Sequence, residues 1–125
     1  MKKYLLRTPA VLLTILIFVV SSFPLKQVDL HSELGIDKLI HIVEYAVYSI
    51  SISTALITFP DTILRRKLYL FTIIISMVYA ASDEIHQAFV MGRNCSWLDF
   101  IANAIGIILG AYLFKKWNLV KRIGV

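Results

Sequence analysis

The sequence predicts an all-α integral membrane protein, a four-helix bundle with N-in and C-in topology. Three observations carry this prediction. The 125 residues are 58% hydrophobic with a mean hydropathy of +0.76, well above the balance of a water-soluble domain. The apolar residues lie in blocks, four of which approach the length of about 20 residues that a crossing needs. Basic residues gather at alternate block ends. A single membrane domain over 1–125 is expected.

The first span is expected near 5–23. Pro9 sits close to its start, where a missing N–H costs nothing, and Pro24 ends it. Met1-Lys2-Lys3 and the apolar core imitate a secretion signal. No small-x-small cleavage site follows, only Ser21-Ser22-Phe23-Pro24, so the segment reads as a retained helix. A charged exterior loop with Gly35 leads to a second span near 37–59, opened by Asp37 and broken by Pro60-Asp61. The short loop to Lys67 makes the second span an antiparallel hairpin with the third, near 68–90. Gly92 lies in the next turn. Ser96-Trp97-Leu98-Asp99 then has capping-box spacing, with Trp97 at the interface. The fourth span, near 98–117, closes on the anchor Phe114-Lys115-Lys116-Trp117.

Charge sets the orientation. With the N-terminus inside, Lys2, Lys3, Arg7, Arg65, Arg66, Lys67, Lys115, Lys116, Lys121 and Arg122 are cytoplasmic, ten of thirteen basic residues. That is the positive-inside bias. The net charge of +5 is thus assigned to anionic lipid headgroups rather than nucleic acid, and the bilayer is the expected partner. Asp61 alone among the acids is cytoplasmic. Asp29, Glu33, Asp37, Glu44, Asp83, Glu84 and Asp99 lie outward. Cys95 is the lone cysteine, so neither an internal disulfide nor a cysteine cage forms.

Ionisable groups inside spans cost about 2.5–3.5 kcal/mol each and mark functional positions. At 100° per residue, Asp37, His41, Glu44 and Tyr48 share a stripe penetrating about 16 Å, with Lys38 and Tyr45 at its edge. Asp83 is flanked on its helix by Tyr79, Glu84, His86 and Gln87. Asp99, Asn103, Gly106 and Gly110 share a stripe on the last span. Glu44 and Asp83 reach similar depth on adjacent helices, and lipid cannot satisfy them, so the stripes should face one another. Gly106 and Gly110 permit close backbone approach. Lys38 and Arg93 are exterior cations suited to a carboxylate or phosphate. Arg93 is equally placed to pair with Asp83, Glu84 or Asp99.

No HExxH pair occurs, and His41 and His86 belong to different helices. No cofactor is expected; a divalent metal is the minor alternative. A proton relay is disfavoured because no polar chain continues inward from the outer half. Ser82 beside Asp83 makes no triad spacing.

These residues resemble the VanZ-like membrane proteins. The matching pieces are Asp37-Lys38-Leu39-Ile40-His41 with Glu44-Tyr45, then Ser82-Asp83-Glu84-Ile85-His86-Gln87-Ala88-Phe89, Gly92-Arg93, and Asp99 with Asn103, Gly106 and Gly110. The resemblance covers about 37–110; the first span matches in character only. Met91 stands where a proline is common before Gly-Arg. The family takes its name from a protein linked to teicoplanin resistance, a glycopeptide phenotype of the cell envelope, and many bacteria with family members lack that resistance. The resemblance implies a multi-pass protein of the bacterial inner membrane.

The expected function is binding of an envelope component in an outward-facing polar pocket: a lipid-linked precursor, a phospholipid headgroup or a peptide. Its residues are Asp37, Lys38, His41, Glu44, Tyr45, Asp83, Glu84, His86, Gln87, Arg93, Asp99 and Asn103. No catalytic residue is assigned, and binding is preferred to catalysis. One alternative is an intramembrane hydrolase or transferase, metal-assisted or acid–base, with Glu44 or Asp83 as base. The other is a structural or partner-binding bundle.

Overall fold

A computed structural model describes residues 2–24, 36–60, 62–93 and 95–123. Among them the chain forms five helices and no strand: α1 (Lys2–Ser21), α2 (Ile36–Leu56), α3 (Thr62–Arg66), α4 (Leu68–Gln87) and α5 (Trp97–Ile123). Helices α1, α2, α4 and α5 are long and apolar enough to cross a membrane. These are the four expected spans, with α3 a short turn of helix inside the α2–α4 hairpin. The expected exterior loop, with Lys26, Asp29, Glu33 and Gly35, lies outside the described residues.

The helix ends differ from the sequence reading for local reasons. Helix α2 stops at Leu56 because Thr58 and Phe59 donate only three residues back, to Ala55 and Leu56, tightening the chain before Pro60. Phe89 and Val90 do the same to His86 and Gln87 after α4. Helix α5 runs past Trp117 to Ile123, a stretch with no glycine or proline to stop it. Pro9 is interior to α1 rather than at its start, so the carbonyl one turn back loses its usual N–H partner.

The helices pack with a defined polarity. Helices α2 and α5 make the most extensive pairing and run parallel. Lys38 meets Asp99, His41 meets Asn103, and Ser49 donates to the Ile107 carbonyl at 2.9 Å. The contact is close because Gly106 and Gly110 lie directly on the carbonyls of Ile42 and Ala46; a Cβ at either position would overlap them. Helix α4 runs antiparallel to α2, joined by Tyr45–Asp83 at one end and Ser53–Thr72 at the other. Helix α1 is also antiparallel to α2, through Arg7–Thr58 and Thr14–Tyr48. The core comprises Ile17, Tyr45, Tyr48, Ala80 and Ile107. Exposed Leu12, Ile15, Leu16, Val43, Val78 and Ile108 form the outer surface, as a hydrocarbon solvent permits.

The two ends of the bundle carry opposite chemistry. At one, Arg7 lies 3.9 Å from the Phe59 ring centre and Lys115 lies 5.5 Å from that of Tyr69. The other end holds the first turns of α2 and α5, the last of α4, and the acids.

Candidate functional site

Because α2 and α5 run parallel from the same end, each turn of one faces the corresponding turn of the other. In the first turn, Lys38 Nζ bridges two carboxylates, pairing with Asp99 and with Asp37 Oδ2 at 3.1 Å. One turn deeper, His41 Nδ1 lies 2.9 Å from Asn103 Oδ1. Asn103 is fully buried and donates through Nδ2 to Glu84 Oε1 of α4 at 3.3 Å. The other Glu84 oxygen accepts the Ser96 backbone N–H at 3.3 Å. A series of polar contacts thus spans three helices, from Asp37 and Asp99 through Lys38 on the outer turn and from His41 through Asn103 to Glu84 one turn deeper, with a 3.9 Å gap between Asp37 and His41.

That series fixes a tautomer. A carboxylate only accepts, so the Asn103 NH₂ faces Glu84 and its oxygen faces His41. His41 Nδ1 must then carry hydrogen and donate. Its Nε2 is left facing Asp37 Oδ1 at 3.9 Å. Exposure grades outward: side-chain accessibility is 12% for His41, 33% for Lys38 and 59% for Asp37.

A second cluster lies beside the first, between α2 and α4. Asp83 Oδ2 accepts from Tyr45 Oη at 3.3 Å and Gln87 Nε2 at 3.0 Å. All three residues are buried. Asp83 Oδ1 is buried with no hydrogen-bond partner among the described residues. Half-buried Glu44 completes the cluster, within electrostatic reach of His41, Asp83 and Arg93. Tyr45, placed at a stripe edge from the sequence, has no exposed surface. Tyr48, placed within the stripe, instead meets Thr14 Oγ1 of α1 at 3.2 Å.

Two of the candidate residues turn elsewhere. His86 packs its ring on Phe18, with centres 4.7 Å apart, and its Nδ1 lies 3.5 Å from Ser21 Oγ. Arg93 donates to the carbonyls of Val20 at 2.9 Å and Phe23 at 3.2 Å. It caps the end of α1, where the Val20 carbonyl also accepts the Phe23 N–H, and forms no ion pair with Asp83, Glu84 or Asp99 among the described residues. The capping-box spacing at Ser96 is used differently as well. Glu84 takes the Ser96 N–H, leaving Asp99 for Lys38.

Sequence reasoning missed a buried hydroxyl seam below the site. Ser49, Ser53, Thr72 and Ser76 have no exposed surface, and Ser53 and Thr72 lie 3.0 Å apart. Polar groups do therefore continue inward from the carboxylates. The signal was the i, i+4 repeat of Tyr45, Ser49 and Ser53, and of Thr72 and Ser76.

The combined site is acidic. Asp37, Glu44, Asp83, Glu84 and Asp99 outnumber the permanent cations Lys38 and Arg93. Asp37, His41 and Asp99 each offer one donor atom, all within 4.8 Å of one another. Such an arrangement attracts positive charge and repels free anions. The sequence model of the VanZ/LLP1 family matches residues 6–121, a stretch that includes most of α1 as well as every motif residue. None of the curated proteins and none of the solved structures compared matches the chain.

Proposed function

The chain belongs to the VanZ/LLP1 family, and on that footing we propose that it binds an envelope component at this acidic end, facing the exterior of the bacterial inner membrane. The component is an amine-bearing lipid headgroup or lipid-linked precursor, and its ammonium docks between Glu44 and Asp83. One observation carries the reading. Among the described residues, Asp83 Oδ1 is a buried carboxylate oxygen without a partner, next to a second acid, Glu44, that makes no ion pair with a cation. A buried acceptor left unpaired costs about 1–3 kcal/mol, and an ammonium donor removes that cost. Lys38 illustrates the complementarity within the molecule, since its own ammonium bridges the carboxylates of Asp37 and Asp99. The outward orientation is supported by ten basic residues toward the opposite end.

Native mass spectrometry of the full chain extracted from membranes tests the reading. An adduct of amine-headed lipid is expected on the wild type and is expected to be lost in Asp83→Asn. Equal retention of amine-headed and amine-free lipids, or an adduct indifferent to Asp83→Asn, would overturn it. Orientation has a separate test. Cys95 is exposed and is the chain's one cysteine, so an impermeant maleimide should label it in intact spheroplasts. Labelling only after lysis would reverse the topology.

A further inference from the structure

We propose that Asp37, His41 and Asp99 form a site for a first-row divalent metal ion of the zinc class, with Lys38 as the resident counter-charge that the metal displaces. Their donor atoms come from α2 and α5 and lie within 4.8 Å of one another. In a tetrahedral zinc site with bonds of about 2.0–2.2 Å, neighbouring donors sit about 3.4 Å apart. His41 Nε2 and Asp37 Oδ1 are 3.9 Å apart, too far for a hydrogen bond and about half an ångström wider than a tetrahedral site requires.

The second, independent observation is how His41 is held. Its Nδ1–H is committed to Asn103, which is fully buried and itself oriented by Glu84. That arrangement leaves Nε2 aimed at the Asp37 carboxylate, 3.9 Å away, with no hydrogen-bond partner among the described residues. An outer-shell acceptor that fixes the tautomer and ring plane is characteristic of imidazole metal ligands. One imidazole nitrogen and two carboxylate oxygens suit zinc or manganese, and three protein ligands leave a coordination position open.

Lys38 does not close the site. Its ammonium marks where positive charge is demanded, and its side chain is one-third exposed on a flexible stem, free to swing into water as a metal enters. The inference is independent of the amine-docking reading, because it uses a different pair of carboxylates. Asp83→Asn separates the two.

The test uses the full chain in detergent, stripped with chelator and titrated with Zn²⁺, alongside elemental analysis. One zinc per chain is expected. Affinity should fall at least about tenfold in His41→Gln and Asp99→Asn, and about 10- to 100-fold in Asn103→Ala, a change in the outer shell. Lys38→Met should bind zinc more tightly than wild type, and Asp83→Asn as wild type does. With Mn²⁺ as probe, electron spin-echo modulation from an imidazole nitrogen should appear in wild type and vanish in His41→Gln. This spectroscopic readout stays informative should a variant lose stability. The proposal is overturned when neither wild type nor Lys38→Met binds zinc, or when bound metal shows no imidazole coupling.

Discussion

The interfaces of α2 with α4 and α5 bury polar side chains at two depths, with different chemistry and different consequences. In the outer turns, carboxylates, an imidazole, an amide and an ammonium link α2, α4 and α5 through Lys38–Asp99, His41–Asn103 and Asn103–Glu84. Farther in, hydroxyls settle close by, Ser53 on Thr72 and Ser49 on the Ile107 carbonyl. A hydroxyl finds a backbone acceptor almost anywhere along a helix. A carboxylate in hydrocarbon has no such recourse and needs dedicated donors. The inner region is therefore held by close packing, and the outer one by a network that works only when complete. Among the described residues, each region also leaves one buried side-chain polar atom unpaired, Ser76 Oγ and Asp83 Oδ1.

The largest effect should come from cutting the outer network at its centre. Asn103→Leu removes the donor to Glu84 and the acceptor from His41 at once. Among the described residues, Glu84 then keeps only the Ser96 N–H; losing a hydrogen bond to a charged group costs about 1.5–3 kcal/mol, and leaving the His41 N–H unsatisfied about 1–3 kcal/mol more. Reversible unfolding in mixed micelles measures it, and a loss below about 1 kcal/mol would erase the distinction between the two regions. Close packing supplies the next effect. Gly106→Ala and Gly110→Ala place a methyl against the Ile42 and Ala46 carbonyls. Both partners are backbone, so α2 and α5 must separate, at about 1–3 kcal/mol each. A free-energy change near zero for both would mean that the two helices part without loss.

How much of this was legible in the sequence follows from the same chemistry. Ionisable and strongly polar residues inside a span are rare enough to announce themselves, which is why Asp37, Lys38, His41, Asp83, Glu84, Asp99 and Asn103 stood out by helical spacing alone. The partners of Arg93 and His86 were not legible. Both turn to α1, and that depends on how α1 crosses the bundle, a property no single helix encodes. The Ser96 cap was misread because a local spacing rule cannot foresee a competing carboxylate from α4. The seam of Ser49, Ser53, Thr72 and Ser76 went unread because small polar residues are common in membrane helices for packing reasons alone. Pro9 was read from the apolar block, whereas α1 begins seven residues earlier at Lys2.

The smallest effects sharpen the comparison most, because they ask whether the inner hydroxyls matter individually. Ser53→Ala deletes one interhelical hydrogen bond to Thr72, and such bonds in membranes average about 0.6 kcal/mol. Ser76 is the control. Its Oγ is buried and has no hydrogen-bond partner among the described residues, so Ser76→Ala removes a desolvated hydroxyl without breaking a hydrogen bond. Deleting an unsatisfied polar group should be neutral or slightly stabilising. The unfolding free energy of Ser76→Ala is therefore expected at or just above that of wild type, in the same assay that shows a loss for Ser53→Ala. A destabilisation of about 1 kcal/mol or more at Ser76 would assign its hydroxyl a hydrogen-bond partner. The inner seam would then be a polar network like the outer one, and the division between packing and charge would fail at its midpoint.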